Sequence, residues 1–257
     1  MSSILFEMQG SVAVITLNRP EKRNAIDGAL AREFQEKLDA CRRPEVRCVY
    51  ITGAGTAFSS GQDLEEITAP NGPKVHTVLN EHLNPIVRKI RKMEKPVVAA
   101  VNGVAAGAGA NIAISCDVVL AAKSAVFIQA FAKIGLVPDT GGTYFLPRLV
   151  GLQKALAMTM LGEHVSADDA ERMGMIYKVL ADETFAADSM KVAQALAQMP
   201  TTALYLTKKA MHQSFISSFE EQLHDEELLQ QQATATKDFR EGVQAFLEKR
   251  KPLFKGS

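Results

Sequence analysis

PVVAAVNGVAAGAGANIAISCDVVLAA, residues 96–122, decides the fold. Val97–Val101 is an unbroken apolar run behind a proline and reads as a strand buried on both faces. Val118–Ala122 reads the same way. Between them lies NGVAAGAG, a small-residue loop, and then NIAIS, an apolar stretch with a helical reading. Strand, helix and strand at this spacing make a βαβ unit, so the class is α/β.

Working back towards the N-terminus, RCVYITGAG (47–55) is another buried strand ending in a glycine loop. From Val75 to Met93 apolar residues fall at 75, 78, 79, 83, 86, 87, 90 and 93, an amphipathic helix that Pro85 should kink or split. Earlier still, Ile4–Met8, a Gln9-Gly10 turn and the alternating Val12, Val14 and Thr16 read as a hairpin. The turn NRPEKRNA (18–25) precedes a helix that Asp27 is placed to cap, with Leu30, Phe34, Leu38 and Cys41 along one face.

Towards the C-terminus the strand signals fade after about residue 143. Ser166 with Asp169 starts a helix that Gly174 stops, and Ser218 with Glu221 forms a capping box ahead of a Gln- and Glu-rich helix. We divide the chain into a core, 1–195, and a helical C-terminal region, 196–257.

Of 257 residues, 47% are apolar and 23% charged, enough for a large core. Lys+Arg and Asp+Glu number 29 each, so no overall field draws in nucleic acid or an anionic membrane. The first ten residues lack the basic and apolar regions of a signal peptide, and the apolar runs are too short to span a bilayer. Cys41, Cys48 and Cys116 are odd in number and unpatterned, which fits buried thiols in a reducing cytoplasm. The histidines form no metal-binding pattern, and His76 and His82 read as surface residues.

Three segments suit chemistry. FSSGQDL (58–64) puts a glycine between small and polar residues after a strand, where backbone N–H groups are approachable; the residues alone favour a plain loop with Gly61 left-handed. In Val104–Asn111, seven of eight residues are Gly, Ala or Val. Such residues let a ligand oxygen approach free N–H groups, and they equally serve close helix–sheet packing. Gly107 and Gly109 do not complete a dinucleotide fingerprint. In IGLVPDTGG (134–142), Asp139 reads first as a turn or a cap for a helix near Thr143. Phe127, Phe131, Ile134, Leu136 and Val137 upstream offer an apolar wall that would raise its pKa and make it a better base.

Taken together, LNRP, FSSGQDL, NGVAAGAG, CD, GLVPDTGG and the C-terminal EKR segment resemble the crotonase (enoyl-CoA hydratase/isomerase) superfamily over essentially the whole chain. The resemblance implies a spiral of ββα units with a C-terminal helical region that trimerises, giving a homotrimer or a dimer of trimers. It implies an acyl-CoA thioester as substrate, with coenzyme A part of that substrate and no separate cofactor, no metal and no nucleic-acid or membrane partner. Gln62 and Ala108 would donate the backbone N–H groups of an oxyanion hole, Gly107, Gly109, Asn111 and Phe131 would line the pocket, and Phe131 with the stretch 65–83 would set its floor. Where hydratases of the superfamily carry two glutamates, this chain has Asn111 and Phe131, and neither is a base. Dehalogenases carry a histidine that would fall near Asn84 and a tryptophan at position 131, and this chain has no Trp. Asp139 remains as the proton carrier of an isomerase, and GQDL, NGVAAGAGA, IGLVPDTGGT and REGVQAFLEKR resemble the branch acting on aromatic ring-epoxide acyl-CoA thioesters. Lys22, Arg23, Asn24 and Ala25 would wrap the adenine and phosphates, while Phe246 and Lys249 would reach coenzyme A, often in a neighbouring subunit. Without the resemblance, NRPEKRNA is equally a solvated basic turn and EKRKPLFKG a basic tail. A 3-enoyl to 2-enoyl-CoA isomerase, and a non-catalytic relative binding acyl-CoA, a protein or RNA, are the rival expectations.

Overall fold

In the computed structural model, which describes residues 2–257, a hairpin is followed by strand pairs that send one strand to each of two sheets. β1 (Ile4–Gln9) and β2 (Val12–Leu17) form the expected hairpin, turning through Gly10 at φ +60°. α1 (Gly28–Ala40) begins at Asp27, whose carboxylate accepts from the Leu30 N–H at 2.8 Å. β3 (Cys48–Gly53) runs into β4 (Ala57–Ser59), followed by α2 (Leu64–Thr68), α3 (Val75–Thr77) and α4 (Asn84–Arg91). β5 (Val97–Val101) then runs into β6 (Val104–Ala106) and α5 (Ala108–Ile114). β7 (Val118–Ala122) runs into β8 (Val126–Ile128) and a 3-10 turn over Ala130–Ile134.

The larger sheet has the order β1-β2-β3-β5-β7-β10, with β10 at Lys178–Leu180, and is parallel except for the hairpin. The smaller has the order β4-β6-β8-β9, with the last pair antiparallel. β9 (His164–Ser166) and β10 (Lys178–Leu180) are three residues each, too short to leave a periodic signal, and they correct the expectation that strands end near residue 143. Between the hairpin and these late strands, each strand pair with its following helical segment repeats the same ββα turn.

The helix over 75–93 is split, as Pro85 requires. α3 passes into a π-helical segment, Val78–Leu83, directly before α4. Pro85 has no N–H for the Glu81 carbonyl one turn earlier. Gln35 of α1 takes its place, donating Nε2 to Glu81 O at 2.7 Å and His82 O at 3.1 Å. His82 is therefore 5% exposed against α1, which corrects its surface assignment, while His76 is exposed.

After α6 (Gly142–Val150), α7 (Leu152–Leu161) and α8 (Ala167–Arg172), the long α9 (Phe185–Ala197) covers the larger sheet, packing on β2, β3, β5, β7 and β10. Ser189 of α9 and the Tyr50 hydroxyl of β3 share a buried hydrogen bond of 2.8 Å. Ser166 caps α8 and Ser218 caps α11 (Phe219–Thr234) as expected, the latter through a full capping box. The C-terminal helices are α10 (Thr201–Gln213), α11 (Phe219–Thr234) and α12 (Lys237–Leu247). Arg47 fastens this region to the core, donating to Met199 O and Phe254 O at 2.6 Å and to Thr201 Oγ1 at 3.0 Å. Apolar residues stay uncovered on it, with Phe219 74% and Phe246 82% exposed.

Candidate active site

One cavity of about 300 Å³ brings together Gln62, Ala108 and Asp139, which lie far apart in sequence. Its base is the meeting of two strand ends. β4 leads into Ser59-Ser60-Gly61-Gln62, and β6 leads into Gly107-Ala108.

Gly61 holds φ +90°. The Ser59 hydroxyl accepts from its N–H at 3.2 Å and donates to Asn24 O at 2.8 Å. Ile26 bridges the next residues, donating to Gly61 O at 2.7 Å and accepting from Asp63 N at 3.0 Å. These two bonds turn the Gln62 N–H away from Ile26, and among the described residues it has no acceptor. Gly107 holds φ +50°, ψ −124° and donates to Ile128 O at 2.9 Å. Ala108 is 2% exposed, and its N–H likewise has no acceptor among the described residues. Two free donors on one cavity are what an oxyanion requires. Packing, the rival use of the small residues, holds for Gly109: a Cβ there would lie 2.6 Å from Ser59 O.

Asp139 does not cap α6. The N-cap of that helix is Gly141, without a side-chain bond, and the Asp139 Oδ1 accepts from Thr140 Oγ1 at 2.7 Å. Burial pushes its carboxyl pKa up, against the lowering effect of the Thr140 hydroxyl. Thr140 is 2% exposed at φ +52°, a left-handed conformation costly for a β-branched residue. Asp139 is the one carboxylate lining the cavity among the described residues.

The wall is apolar. Phe131, Ile134, Leu136 and Val137 contribute as expected, and Gly107 opens beside the Phe131 ring. Phe127 does not; it is buried in β8, 1% exposed. Asn111 and Gly109 were expected to line the pocket and do not. Asn111 is fully buried and donates Nδ2 to the Asp139 carbonyl at 2.9 Å. Leu64, Ile67, Val75, Val78 and Leu79 complete the opposite wall. Ile67, Val75, Val78 and Leu79 fall within the 65–83 stretch that sequence reading assigned, with Phe131, to the pocket floor.

The residues that the resemblance assigns to coenzyme A are placed unequally. Lys22 is paired with Glu65, and that carboxylate raises its pKa. Arg23 and Asn24 hold φ +50° and +57°. Asn24 is fully buried; Nδ2 donates to Ala54 O at 3.0 Å and Ala57 O at 2.8 Å, and Oδ1 accepts from Arg19 N at 2.9 Å. Its side chain braces the turn. The Ala25 carbonyl accepts from Arg19 Nη1 at 2.6 Å. Phe246 and Lys249 sit at the end of α12, exposed, and do not line this cavity. The three cysteines are buried thiols whose pKa values burial raises, so none is a nucleophile.

The chain matches the enoyl-CoA hydratase/isomerase family model over residues 7–257, in keeping with a ββα spiral whose strand ends present two free N–H groups beside a half-buried carboxylate. The chain belongs to that family. Among its relatives, the 1,2-epoxyphenylacetyl-CoA isomerase of Escherichia coli is 42% identical, covering 100% of this chain and 99% of its own. A probable enoyl-CoA hydratase of Rhodobacter capsulatus is 46% identical over 99% of this chain and 98% of its own. The crystal structure of an enoyl-CoA hydratase from Bacillus anthracis superposes with a TM-score of 0.92 at 30% identity, covering 99% of this chain and 100% of that one.

Proposed function

We propose that this enzyme isomerises acyl-CoA thioesters and that its substrate is ring-1,2-epoxyphenylacetyl-CoA, converted to the oxepin-CoA. The observation carrying this reading is that Asp139 is the cavity's one carboxylate among the described residues, while the hydratase glutamate positions hold Asn111 and Phe131. Hydration needs paired acid–base groups about a water. Isomerisation needs one group that takes a proton and returns it.

The thioester oxygen would accept from the Gln62 and Ala108 N–H groups. Asp139 removes the α-proton, and the electron pair moves onto that oxygen as an enolate. Each preorganised donor stabilises such an enolate by about 3–4 kcal/mol. The same proton then returns to a carbon further along the conjugated system as the ring epoxide opens, so no atom is added or lost. Burial keeps Asp139 basic enough to take the proton. The same steps move a 3-enoyl double bond to the 2-position, and this is our second reading.

Coenzyme A would lie along Lys22–Ala25, with Phe246 and Lys249 reaching it from a neighbouring subunit. The uncovered Phe219, Phe246 and Leu247 support a trimer or a dimer of trimers. Among the described residues no helix is long and apolar enough to cross a membrane, and a cytoplasmic setting is part of the proposal.

The test assays ring-epoxide phenylacetyl-CoA, a 3-enoyl-CoA and a 2-enoyl-CoA with one preparation, alongside Asp139→Asn. We expect the epoxide to show the highest kcat/KM and the variant to lose at least about a hundredfold. Preferred hydration of the 2-enoyl-CoA, or near-normal turnover by a folded Asp139→Asn, overturns the reading. Acyl-CoA binding without turnover of any of the three would leave a non-catalytic relative.

A further inference from the structure

Asn111 lies one turn along α5 from Ala108, at the place where a hydratase would carry a glutamate. It is fully buried and faces the Asp139 segment from behind. Its Nδ2 donates to the Asp139 carbonyl at 2.9 Å, and its Oδ1 accepts from Gln129 Nε2 at 2.9 Å. The Asp139 carbonyl can only accept, so Nδ2 faces it, and Oδ1 is left to accept from the Gln129 amide.

Satisfying the backbone does not account for this chain of bonds. The Asp139 carbonyl already accepts from the Gly142 N–H at 2.8 Å. Gln129 is 2% exposed, and its Oε1 is buried without a partner. An apolar side chain at 129 would avoid that orphaned oxygen, so polarity there carries a cost the fold alone does not require. Gly142 leaves the amide its room: a Cβ at that position would stand 2.4 Å from Asn111 Nδ2.

The segment so held is short and strained. Asp139 stands between Pro138 and the left-handed Thr140. Its carbonyl is tied to the same short helix whose first residue, Ala108, offers the N–H to the cavity. Donor and carboxylate are thereby referred to one rigid element.

We propose that Asn111 is a positioning residue, oriented by Gln129, that fixes the Asp139 carboxylate at a set distance from the Ala108 N–H, so that the base and the enolate oxygen are held in register across the substrate. The proposal rests on the reading of Asp139 as proton carrier. It gives the replaced glutamate position a new task in the isomerase, holding the base in place of supplying one.

The test compares wild type, Asn111→Leu, Gln129→Met and Asp139→Asn in two assays. One is steady-state isomerisation across pH. The other is exchange of the α-hydrogens of phenylacetyl-CoA in D2O, followed by NMR, which reads proton removal whatever the physiological acyl group. Misplacing a reacting group by about 1 Å costs up to about a hundredfold in rate. We expect Asn111→Leu to exchange about 10–100-fold more slowly with KM within about twofold. The acidic limb of its kcat/KM profile should move to lower pH, because a loosened carboxylate reaches water. Gln129→Met should show the same direction with a smaller loss and undiminished thermal stability, and it carries the test if Asn111→Leu does not fold. Exchange by folded variants within twofold of wild type, or slower exchange on an unmoved pH profile, overturns the positioning role alone. Asp139→Asn exchanging as fast as wild type overturns the functional reading, and the proposal with it.

Discussion

Gly61 and Ala108 approach so closely that a Cβ on Gly61 would stand 3.2 Å from the Ala108 nitrogen and 2.7 Å from the Ala106 oxygen. The two strand ends therefore meet through a position without a side chain, and both free N–H groups depend on it. Gly61→Ala adds a methyl at φ +90° and pushes the ends apart. We expect kcat to fall about 10²–10³-fold, the loss typical of removing one oxyanion donor. Isomerase kinetics on the folded variant check this, and kcat within tenfold of wild type would remove these N–H groups from the reaction.

The half-buried Asp139 carboxyl makes the fold weaker as it ionises. Its folded pKa lies above the unfolded value, so between the two the unfolded chain binds fewer protons and stability falls as pH rises. Its protonated form carries no such penalty. Asp139→Asn does not titrate and should have the higher Tm at pH 7. That advantage should vanish near pH 3.8, the carboxyl's ordinary value. Thermal melts of both proteins across pH decide it, and an equal Tm at pH 7 would mean the carboxylate is not penalised by burial. A group that harms the fold and helps the reaction fits an active site.

How legible all this was depends on the length of each signal. β3, β5 and β7 are continuous apolar runs in a sheet covered on both faces, and such runs show in sequence. The caps at Asp27, Ser166 and Ser218 are local chemistry and were also visible. β9 and β10 escape notice because three residues hold no period. His82 misleads because its burial comes from α1, distant in sequence, packing over the π-helical segment. The gathering of Gln62, Ala108 and Asp139 came through likeness to a family, since no spacing rule joins three separate loops. Gln129 left no trace at all; its partner lies 18 residues away on another element.

Asn24 tests whether the NRPEKRNA turn is a ligand contact or a brace. Its three side-chain hydrogen bonds all end on backbone within the protein. Asn24→Ala strands those groups and puts Ala at φ +57°. Unmade buried hydrogen bonds cost about 1–3 kcal/mol each, so a loss of about 3 kcal/mol or more is expected in urea unfolding. A variant of normal stability with a raised KM for the CoA thioester would instead assign the amide to the ligand.

The C-terminal region meets the core at an ion pair whose side chains are largely shielded from water, which gives the last prediction. Lys208 of α10 donates Nζ to Asp117 Oδ2 at 2.9 Å and to Ile90 O at 3.0 Å, with the two side chains 8% and 16% exposed. The same carboxylate oxygen accepts from Val97 N at 2.8 Å, at the entry to β5. Burial nonetheless raises the Asp117 pKa, so the surrounding bonds do not fully offset desolvation. Lys208→Met removes the cation and leaves the carboxylate where it is. Losing one member of a buried pair costs about 3–5 kcal/mol, against about 1 kcal/mol for an exposed one. The deficit should be largest at neutral pH. It should shrink as the medium is acidified, because protonating Asp117 relieves the uncompensated charge while wild type gains less from the same proton. Denaturant midpoints at pH 7 and pH 5 measure both parts. A deficit that stays constant between them would trace the loss to the lysine's methylenes and its bond to Ile90, and one below about 1 kcal/mol would mean that water reaches this junction.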